Sequence, residues 1–377
     1  MEFDWTEEQR EFREAVSAFA KRELSDGDGS PAWFTNSWKK CAAFGIQGLP
    51  VGEKYGGAGA DNLTTVAALE ALGYACQDNG LIFALNAQMW ACQHPIERFG
   101  TDEQKQRYLP GLCNGSLIGA HAMSEPGSGS DAFALSTTAT EAQDGFRLNG
   151  SKTFVTNASV ADLFVAFARI PGSTGFAGLT AFLIERETPG LSVGPPMIKM
   201  GLESSPMAEV FFEDCLVLPS GVLGRPRGGM PIFVAAMERE RSMILASTIG
   251  SMERGLERSI EHARNRHQFG KPIGKFQAVS HRLVEMKLRL ETARLLIYRL
   301  AWLLDKGEPA ALDSALVKLH LSESFLASSL DALQLHGGYG YMKEYGLERD
   351  VRDAIASRLY SGTSELQRNL AARHMGL

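Results

Sequence analysis

The chain has 377 residues, of which 44% are hydrophobic and 22% are charged, and its formal net charge is −6. At about 100–200 residues per domain, this length predicts two or three domains of an ordinary globular protein. An acidic chain gives no support for a nucleic-acid-binding surface. It also lacks the cluster of basic residues that would attract it to an anionic membrane.

Membrane and metal sites are not expected either. No segment approaches the ~20 continuous apolar residues of a membrane-spanning helix, and the polar, acidic first ten residues do not resemble a secretory signal. The 5 cysteines are odd in number, and no two of them are separated by only two residues. This pattern favours a reducing cytoplasm over a disulfide framework or a zinc site. We therefore expect a cytoplasmic protein that binds no metal, no nucleic acid and no membrane.

Three regions with different patterns predict an α+β, mainly α fold. Residues 1–116 are predicted to form an N-terminal helical domain, with Thr6 as the cap of its first helix. Residues 117–224 contain short alternating runs between turn residues, which predict a middle β-barrel or sandwich domain. Residues 225–377 return to helical periodicity and predict a C-terminal four-helix-bundle domain. The predicted strands are 146–148, 153–155, 163–167, 181–184 and 209–212, and the long helical stretches are 231–264, 276–306 and 308–336.

Glu240 lies on an apolar helical face. On a helical wheel at about 100° per residue, Glu238, Arg239 and Arg241 point away from this face. The residues that share it are Phe233, Ala236, Met237, Met243, Ile244 and Ser247. A buried carboxylate is costly unless it is paired or protonated, and loss of solvent raises its pKa towards that of a general base. A structural ion pair with an arginine of another helix explains the pattern too, so periodicity alone leaves both interpretations open.

The segment Met123–Asp131 is rich in glycine and hydroxyl side chains. Its backbone N–H groups could hold a phosphate or a ring carbonyl. It is not a P-loop, because no Gly-Lys-Ser/Thr follows, and it is not a dinucleotide-binding fingerprint, because the region after it is β and not helical. On this evidence alone, a surface turn and a ligand-binding loop are equally good interpretations.

Five segments together resemble the acyl-CoA dehydrogenase family. They follow the order of the family's motifs at fitting distances, and the resemblance extends over essentially the whole chain. The segments are Met123–Asp131, Asn149–Asn157, Ala263–Ile273, Gln334–Gly340 and Tyr360–Glu365. The match is loose at the start of the first segment, where Met123 directly precedes Ser124.

The resemblance implies an FAD-dependent enzyme that removes an α-proton and a β-hydride from an acyl thioester. The α-proton is weakly acidic, so its removal needs a desolvated base and hydrogen bonds to the thioester carbonyl. The family supplies those bonds from a flavin ribityl hydroxyl and a backbone N–H, and flavin N5 accepts the hydride. The implied cofactor contacts are Met123, Ser124, Gly129, Ser130, Phe154, Thr156, Arg266, Gln268, Phe269, Phe276, Gln277, Gln334, Gly337, Gly338, Thr363 and Glu365. The implied substrate contacts are Ser130, Glu238, Arg241, Ser361 and Gly362.

The family also implies an oligomer and the position of the base. Arg266, Gln268 and Phe269 match cofactor contacts made across a subunit interface, so the resemblance implies a homotetramer or a homodimer. Many members carry the base at the second position of the Tyr-x-Gly-Thr loop, which here is Ser361 and cannot serve. A minority, including isovaleryl-CoA dehydrogenase-like members, carry it in a Glu-Arg pair on the long helix. Glu240-Arg241 matches that pair, and we therefore predict Glu240 as the base.

The thioester carrier is predicted from weaker signals. Glu203 stands where members that use CoA often have an arginine, and an acid there would repel a nucleotide phosphate, although an exposed acid without contacts is equally compatible. Further segments resemble the branch that oxidises aminoacyl groups on carrier proteins, such as the L-prolyl-carrier-protein dehydrogenases of antibiotic biosynthesis. Those segments are 71–83, 277–282, 286–291, 360–363 and 371–377.

We thus expect a prolyl-like aminoacyl or short acyl group on a carrier protein, in secondary metabolism, with oxygen or a flavoprotein as the electron acceptor. Asn86, Met89 and Trp90 are candidates for the lining of the acyl pocket. One alternative is a dehydrogenase of short branched-chain acyl-CoA. The other is a flavin-binding homologue without desaturase activity, which the loss of the acid at Ser361 would explain.

Overall fold

The computed structural model describes residues 5–24, 29–172 and 175–377. Its first region is helical and ends in a short π-helical turn followed by two further helices. The helices are α1 (Glu7–Glu23), α2 (Pro31–Phe44), α3 (Asn62–Ala75), α4 (Asn79–Gln88), α5 (His94–Phe99) and α6 (Asp102–Asn114), and the π-helix is Met89–Gln93. Thr6 caps α1 as predicted, because its hydroxyl accepts from the Gln9 N–H at 3.2 Å while the Gln9 side chain accepts from the Thr6 N–H at 3.1 Å.

The middle region is a sheet of eight strands in the described part of the chain. The strands are β1 (Gly119–Ala122), β2 (Thr138–Ala142), β3 (Gly145–Thr156), β4 (Leu163–Arg169), β5 (Leu179–Glu185), β6 (Leu191–Val193), β7 (Met207–Val217) and β8 (Val222–Leu223). Their order is β6-β7-β3-β2-β4-β5-β8, and β1 pairs in parallel with β4. The sheet is otherwise antiparallel except for one parallel pair between β2 and β4.

The prediction of two separate strands at 146–148 and 153–155 is wrong, because both lie in the 12-residue strand β3. The pairing of β3 with β7 shifts register between Leu148 and Gly150 and again between Lys152 and Val155. Such β-bulges interrupt the alternation of side chains without ending the strand. The interrupted alternation of hydrophobic residues in this segment therefore reflects the two bulges and does not mark the end of a strand.

The centre of the sheet is buried on both faces. Along β4, Phe164 lies in a core formed within the β region, whereas Phe167 points to the opposite face. That opposite face packs against Leu109 and Leu112 of α6 and against Ile232 in the third region. The helix that carries Ile232 is thereby fixed against the sheet.

The third region is again helical. It contains α7 (Gly229–Met243), α8 (Ala246–Asn265), a hairpin of β9 (His267–Gln268) and β10 (Lys271–Pro272), α9 (Gln277–Asp305), α10 (Ala311–His336), α11 (Leu347–Ser357) and α12 (Ser364–His374). The α+β, mainly α prediction is confirmed. The helical stretch predicted over 231–264 is divided into two helices, because the chain turns at Ile244 and Leu245, where the Leu245 N–H bonds the Ser242 carbonyl instead of continuing the α-helical ladder.

The two helical regions share one hydrophobic core, which includes Leu69 of α3 and Ile249 of α8. Glycine permits this close crossing of α3 and α8. A Cβ at Gly73 would lie 1.9 Å from the Ser247 carbonyl oxygen, and one at Gly250 would lie 2.1 Å from the Glu70 carbonyl oxygen. No helix in the described ranges is long and apolar enough to cross a membrane.

Candidate active site

The predicted base Glu240 forms a hydrogen bond with Ser361. Glu240 lies near the C-terminal end of α7, and Ser361 lies in the loop between α11 and α12. The Ser361 Oγ donates a hydrogen bond of 2.8 Å to Glu240 Oε1. The structure therefore places the helix and the loop, which carry the two alternative positions of the base in the resembling family, in direct contact.

The backbone of the loop explains how Ser361 reaches Glu240. Ser361 and Gly362 both have left-handed backbone conformations, with φ of 54° and 89°. The fully buried Gln367 holds this turn, since its Nε2 donates to the Ser361 carbonyl at 3.2 Å and to the Gly362 carbonyl at 2.9 Å. Thr363 then caps α12 by accepting from the Leu366 N–H at 3.3 Å.

Burial raises the pKa of Glu240, while the hydrogen bond from Ser361 and the charges of Arg241 and Lys318 lower it, with a net rise. No ion pair of Glu240 is found among the residues that the structure describes. The Arg241 Nε instead donates to the Met237 carbonyl of its own helix at 2.8 Å. The structural ion pair considered above is therefore absent from this part of the chain, and Glu240 has the electrostatic character of a general base.

Two weakly acidic side chains lie near the carboxylate. Burial, together with the charge of Glu240, raises the pKa of Tyr360 and that of Cys92 in the π-helix. The Tyr360 ring packs on Phe83 of α4 with centroids 4.7 Å apart. π-Helical turns often occur at functional sites, and this one packs beside α7, the helix of the base.

The pocket candidates Asn86, Met89 and Trp90 are completely or almost completely buried. Asn86 accepts from the Trp90 Nε1–H at 2.9 Å and donates to the Ile82 carbonyl at 2.9 Å. Their polar atoms therefore bond within the helix that carries them. These residues stabilise the π-helical segment rather than offer a free polar group to a ligand.

A buried ion pair anchors the glycine-serine loop. Glu125 Oε1 lies 2.7 Å from Lys152 Nζ, and the carboxylate also accepts bonds from Ser136 and Thr137. Burial alone would raise the pKa of Glu125, but the Lys152 charge and these hydrogen bonds outweigh it and lower the pKa to about 2. The sequence prediction did not include this pair, because β3 carries several polar residues and nothing in its sequence marks Lys152 as the buried one.

The predicted cofactor residues of the loop and of β3 lie around this anchor. The Ser124 backbone carbonyl accepts a hydrogen bond of 2.9 Å from the Thr153 N–H, which joins the loop to β3. The neighbouring Met123 is buried. Gly129 and Ser130 are exposed. Thr156, at the end of β3, is partly exposed.

Phe154 lies at the second bulge of β3 with a left-handed φ of 55°, and 64% of its surface is exposed. A bulky residue in this conformation is strained, and such strain is concentrated at functional sites. The exposed Phe154 ring lies on β3, beside the glycine-serine loop that the Glu125–Lys152 pair anchors. Such a ring is suited to pack against a planar aromatic cofactor. The residues present are therefore compatible with a flavin ring.

The remaining predicted cofactor contacts form a second group. Phe269 and Gly270 have φ of 52° and 79° and make the turn of the β9–β10 hairpin, with Phe269 92% exposed. Left-handed conformations at both central residues fit a type I′ hairpin turn. The Phe276 ring lies 6.1 Å from that of Phe269. The Gln268 and Gln277 side chains are exposed.

The hairpin lies beside the end of α10. The Arg266 guanidinium is 5.7 Å from the Tyr339 ring centroid, and the rings of His262 and His336 stack at 4.3 Å. The exposed residues Gln334, Gly337 and Gly338 belong to this end of α10. No hydrogen bond, ion pair or ring contact between described residues connects this hairpin group to Glu240 or Phe154. The predicted cofactor contacts therefore form two separate groups within one chain, one at the glycine-serine loop and β3 and the other at the β9–β10 hairpin and the end of α10.

Three other acidic residues named in the sequence analysis lie in different environments. Glu365 is exposed in the first turn of α12. The Glu238 carbonyl accepts from the Ser314 Oγ at 2.7 Å, which ties α7 to α10. Glu203 forms an ion pair with Arg352. The suggestion that Glu203 is an exposed acid without contacts is therefore wrong, because α11 brings Arg352 next to it.

Sequence profiles of one family match almost the whole chain. Residues 6–116 match "Acyl-CoA dehydrogenase, N-terminal domain", residues 120–215 match "Acyl-CoA dehydrogenase, middle domain", and residues 227–376 match "Acyl-CoA dehydrogenase, C-terminal domain".

Individual proteins match over their full length. An L-prolyl-[peptidyl-carrier protein] dehydrogenase of Pseudomonas fluorescens is 42% identical over 380 residues, covering 100% of both chains. The crystal structure of the prolyl acyl carrier protein oxidase AnaB is 46% identical with a TM-score of 0.95, covering 99% of this chain and 100% of that one. The structure of PigA with FAD and proline is 40% identical with a TM-score of 0.96, covering 100% of both chains. The chain belongs to the acyl-CoA dehydrogenase family.

Proposed function

We propose that this protein is an FAD-dependent dehydrogenase that desaturates a prolyl-like aminoacyl thioester on a carrier protein in secondary metabolism. The observation that carries the proposal is the Glu240 carboxylate, whose pKa is raised by burial and which accepts a hydrogen bond from Ser361 at 2.8 Å. The similarity to prolyl-carrier-protein dehydrogenases and to a structure with FAD and proline supports the choice of substrate and cofactor.

The residues present fit FAD, in two groups. Exposed Phe154, with Met123, Ser124, Gly129, Ser130 and Thr156, would hold the flavin end, and Thr363 and Glu365 lie at the loop that carries Ser361. The hairpin group, with Arg266, Gln268, Phe269, Phe276 and Gln277, would complete the cofactor site of a second copy, together with Gln334, Gly337 and Gly338. When bound, FAD supplies a hydride acceptor for the substrate's β-carbon.

Glu240 takes the α-proton. Its Oε1 already accepts the Ser361 hydrogen, which leaves Oε2 as the oxygen that receives the proton. Tyr360 lies close enough for the Glu240 charge to raise its pKa, and its ring packs on that of Phe83 at 4.7 Å. Loss of solvent around the partly buried Glu240 raises its own pKa and makes it a stronger base. Ser361 and Gly362 of the same loop, with Glu238 and Arg241 of α7 and Ser130 of the glycine-serine loop, contribute substrate contacts.

The charge distribution around Glu203 supports a carrier protein over free CoA. Arg352 bonds Glu203, Glu348 and the Met200 carbonyl at once. Its guanidinium is thereby committed to protein partners, and the Glu203–Arg352 pair has no net charge. Arg352 is therefore not free to bind a nucleotide phosphate.

The proposal also includes an oligomer, a cytoplasmic location and an electron acceptor. Exposed apolar residues recur along one face of α9, at Val284, Leu288, Leu295 and Trp302. Such a face suits burial against another copy, and a homotetramer or homodimer would also bring the hairpin group to a second cofactor. Five free cysteines fit a reducing cytoplasm. Oxygen or a flavoprotein would reoxidise the flavin.

The decisive experiment follows the bound acyl group. The FAD-loaded protein is incubated with a prolyl-loaded carrier protein, and the intact mass of the carrier is measured for loss of two or four hydrogens while flavin absorbance is recorded. We expect mass loss and flavin bleaching with the prolyl carrier and neither with isovaleryl-CoA.

The two alternatives give different results in the same experiment. Bleaching by isovaleryl-CoA alone would identify a dehydrogenase of short branched-chain acyl-CoA. A yellow protein that none of these thioesters reduces would identify a flavin-binding homologue without desaturase activity. Either result would overturn the proposal.

A further inference from the structure

Lys318 is a buried cation that the proposed chemistry does not use. It lies on α10 and has no exposed surface. Its Nζ donates to the Ser357 carbonyl at 2.8 Å, and no carboxylate pairs with it among the described residues. A buried ammonium with a neutral acceptor is costly compared with an apolar side chain of the same volume. Stability alone does not explain a lysine here.

Lys318 lies directly beneath the loop that carries Ser361. Ser357, whose carbonyl it binds, is the last residue of α11. The Lys318 Nζ is also 5.9 Å from the ring centroid of Tyr360, the residue that precedes Ser361. The lysine therefore fixes both the start of the loop and the side chain next to Ser361. Gln367 fixes the other side of the same turn.

The same face of α10 also fixes the helix of the base. Ser314, one helical turn before Lys318, donates through Oγ to the Glu238 carbonyl of α7 at 2.7 Å. Ser314 thus sets the position of α7, and Lys318 sets the position of the Ser361 loop. Two neighbouring residues of one rigid helix thereby control the separation of Glu240 and Ser361.

Charged and titratable groups around Glu240 come from each of these elements. They are Arg241 on α7, Lys318 on α10, Cys92 in the π-helix and Tyr360 in the loop. Burial lowers the pKa of Lys318 to about 8, with Glu323, Arg241, Glu240 and Arg358 as its charged neighbours. The lysine still carries most of its charge at neutral pH. A positive charge at this place favours the ionised form of Glu240.

We propose that Lys318 is a positioning residue for Glu240, which aims Ser361 at the carboxylate and places a buried positive charge beside it. The inference rests on Glu240 as the base of the proposed function. It assigns the control of the base to a residue of α10 that lies outside the predicted substrate contacts.

The test measures the protonation of Glu240 itself. The pH-dependent infrared band of the protonated carboxyl is assigned as the band that Glu240→Gln removes, and its midpoint is compared between wild type and Lys318→Gln. Glutamine keeps a donor for Ser357 but has no charge. We expect the midpoint to rise by about one pH unit, and the acid limb of kcat/KM for the prolyl carrier to move by the same amount.

The controls separate this inference from the proposed function. Lys39→Gln makes the same change at an exposed helical position and should leave the midpoint unchanged. If Lys318→Gln does not fold, Lys318→Met, with a similar apolar stem, takes its place. An unchanged midpoint in a folded Lys318 variant would overturn the inference even if Glu240→Gln is inactive. A raised midpoint without turnover of any thioester would support the inference and reject the function.

Discussion

Ser361 and Glu240 are 121 residues apart in the sequence, and the Ser361 Oγ lies 2.8 Å from Glu240 Oε1 in the structure. The serine that replaces the acid expected in the Tyr-x-Gly-Thr loop is therefore not an inert substitution. It is the hydrogen-bond donor to the acid on the helix. A base that is partly buried and held by one hydroxyl has both a raised pKa and a fixed orientation, and these two properties can be tested separately.

Glu240→Gln should lose flavin reduction by the substrate. The amide cannot accept the α-proton, so we expect the rate of bleaching to fall by about 10²–10⁴-fold, with substrate affinity little changed. Stopped-flow absorbance of the flavin measures this rate. Glu14→Gln makes the same change at an exposed position of α1 and should keep the wild-type rate. Bleaching at the wild-type rate in Glu240→Gln would remove this residue from the mechanism.

Ser361→Ala should shift the pH dependence more than the maximal rate. In the wild type, bleaching rises with pH as Glu240 loses its proton and levels off above its raised pKa. The bond from Ser361 lowers that pKa, so its removal raises the pKa further and moves the rise to higher pH by about one unit. Ser364→Ala is the control, because the buried Ser364 Oγ has no hydrogen-bond partner among the described residues. A profile that does not move would show that Ser361 does not influence the base.

Lys152→Met should destabilise the protein and weaken FAD retention. Removal of the lysine leaves the buried Glu125 carboxylate without its charged partner, which costs about 3–5 kcal/mol. It also loosens the anchor of the glycine-serine loop. Thermal unfolding and the FAD content after gel filtration measure the two effects. The double variant Glu125→Gln/Lys152→Met removes both charges and should recover part of the lost stability; a double variant no more stable than Lys152→Met would argue against the pair as the cause.

Gly250→Ala should destabilise the crossing of α3 and α8. The new Cβ would lie 2.1 Å from the Glu70 carbonyl oxygen, and such overpacking costs about 1–3 kcal/mol. Gly255→Ala on the same helix is a matched control, because a Cβ there meets nothing within 4 Å. That variant should gain about 0.5–1 kcal/mol from helix propensity. Urea unfolding of the two variants checks the opposite signs, and equal effects would contradict the proposed close contact.

Local spacing in the sequence predicts the features that depend on neighbours within one helix or strand. The Thr6 cap, the apolar runs of β4 and β5, and the acid on the apolar face of α7 are all recorded by local spacing. In the structure, Met237 and Met243 of that face are buried on either side of Glu240. Periodicity detects such features because residues three or four apart on a helix share a face.

The contacts between these elements depend on how distant parts of the chain pack together. The turn at Ile244 and Leu245 divides a continuous helical pattern, because packing of α8 on α3 overrides the local signal. Glu203 meets Arg352, and Lys318 lies under the Ser361 loop, through contacts between residues 149 and 39 positions apart. The Ser361–Glu240 bond has the same origin. Periodicity records the face on which a side chain lies, but only the packing of distant elements brings a partner within hydrogen-bonding distance.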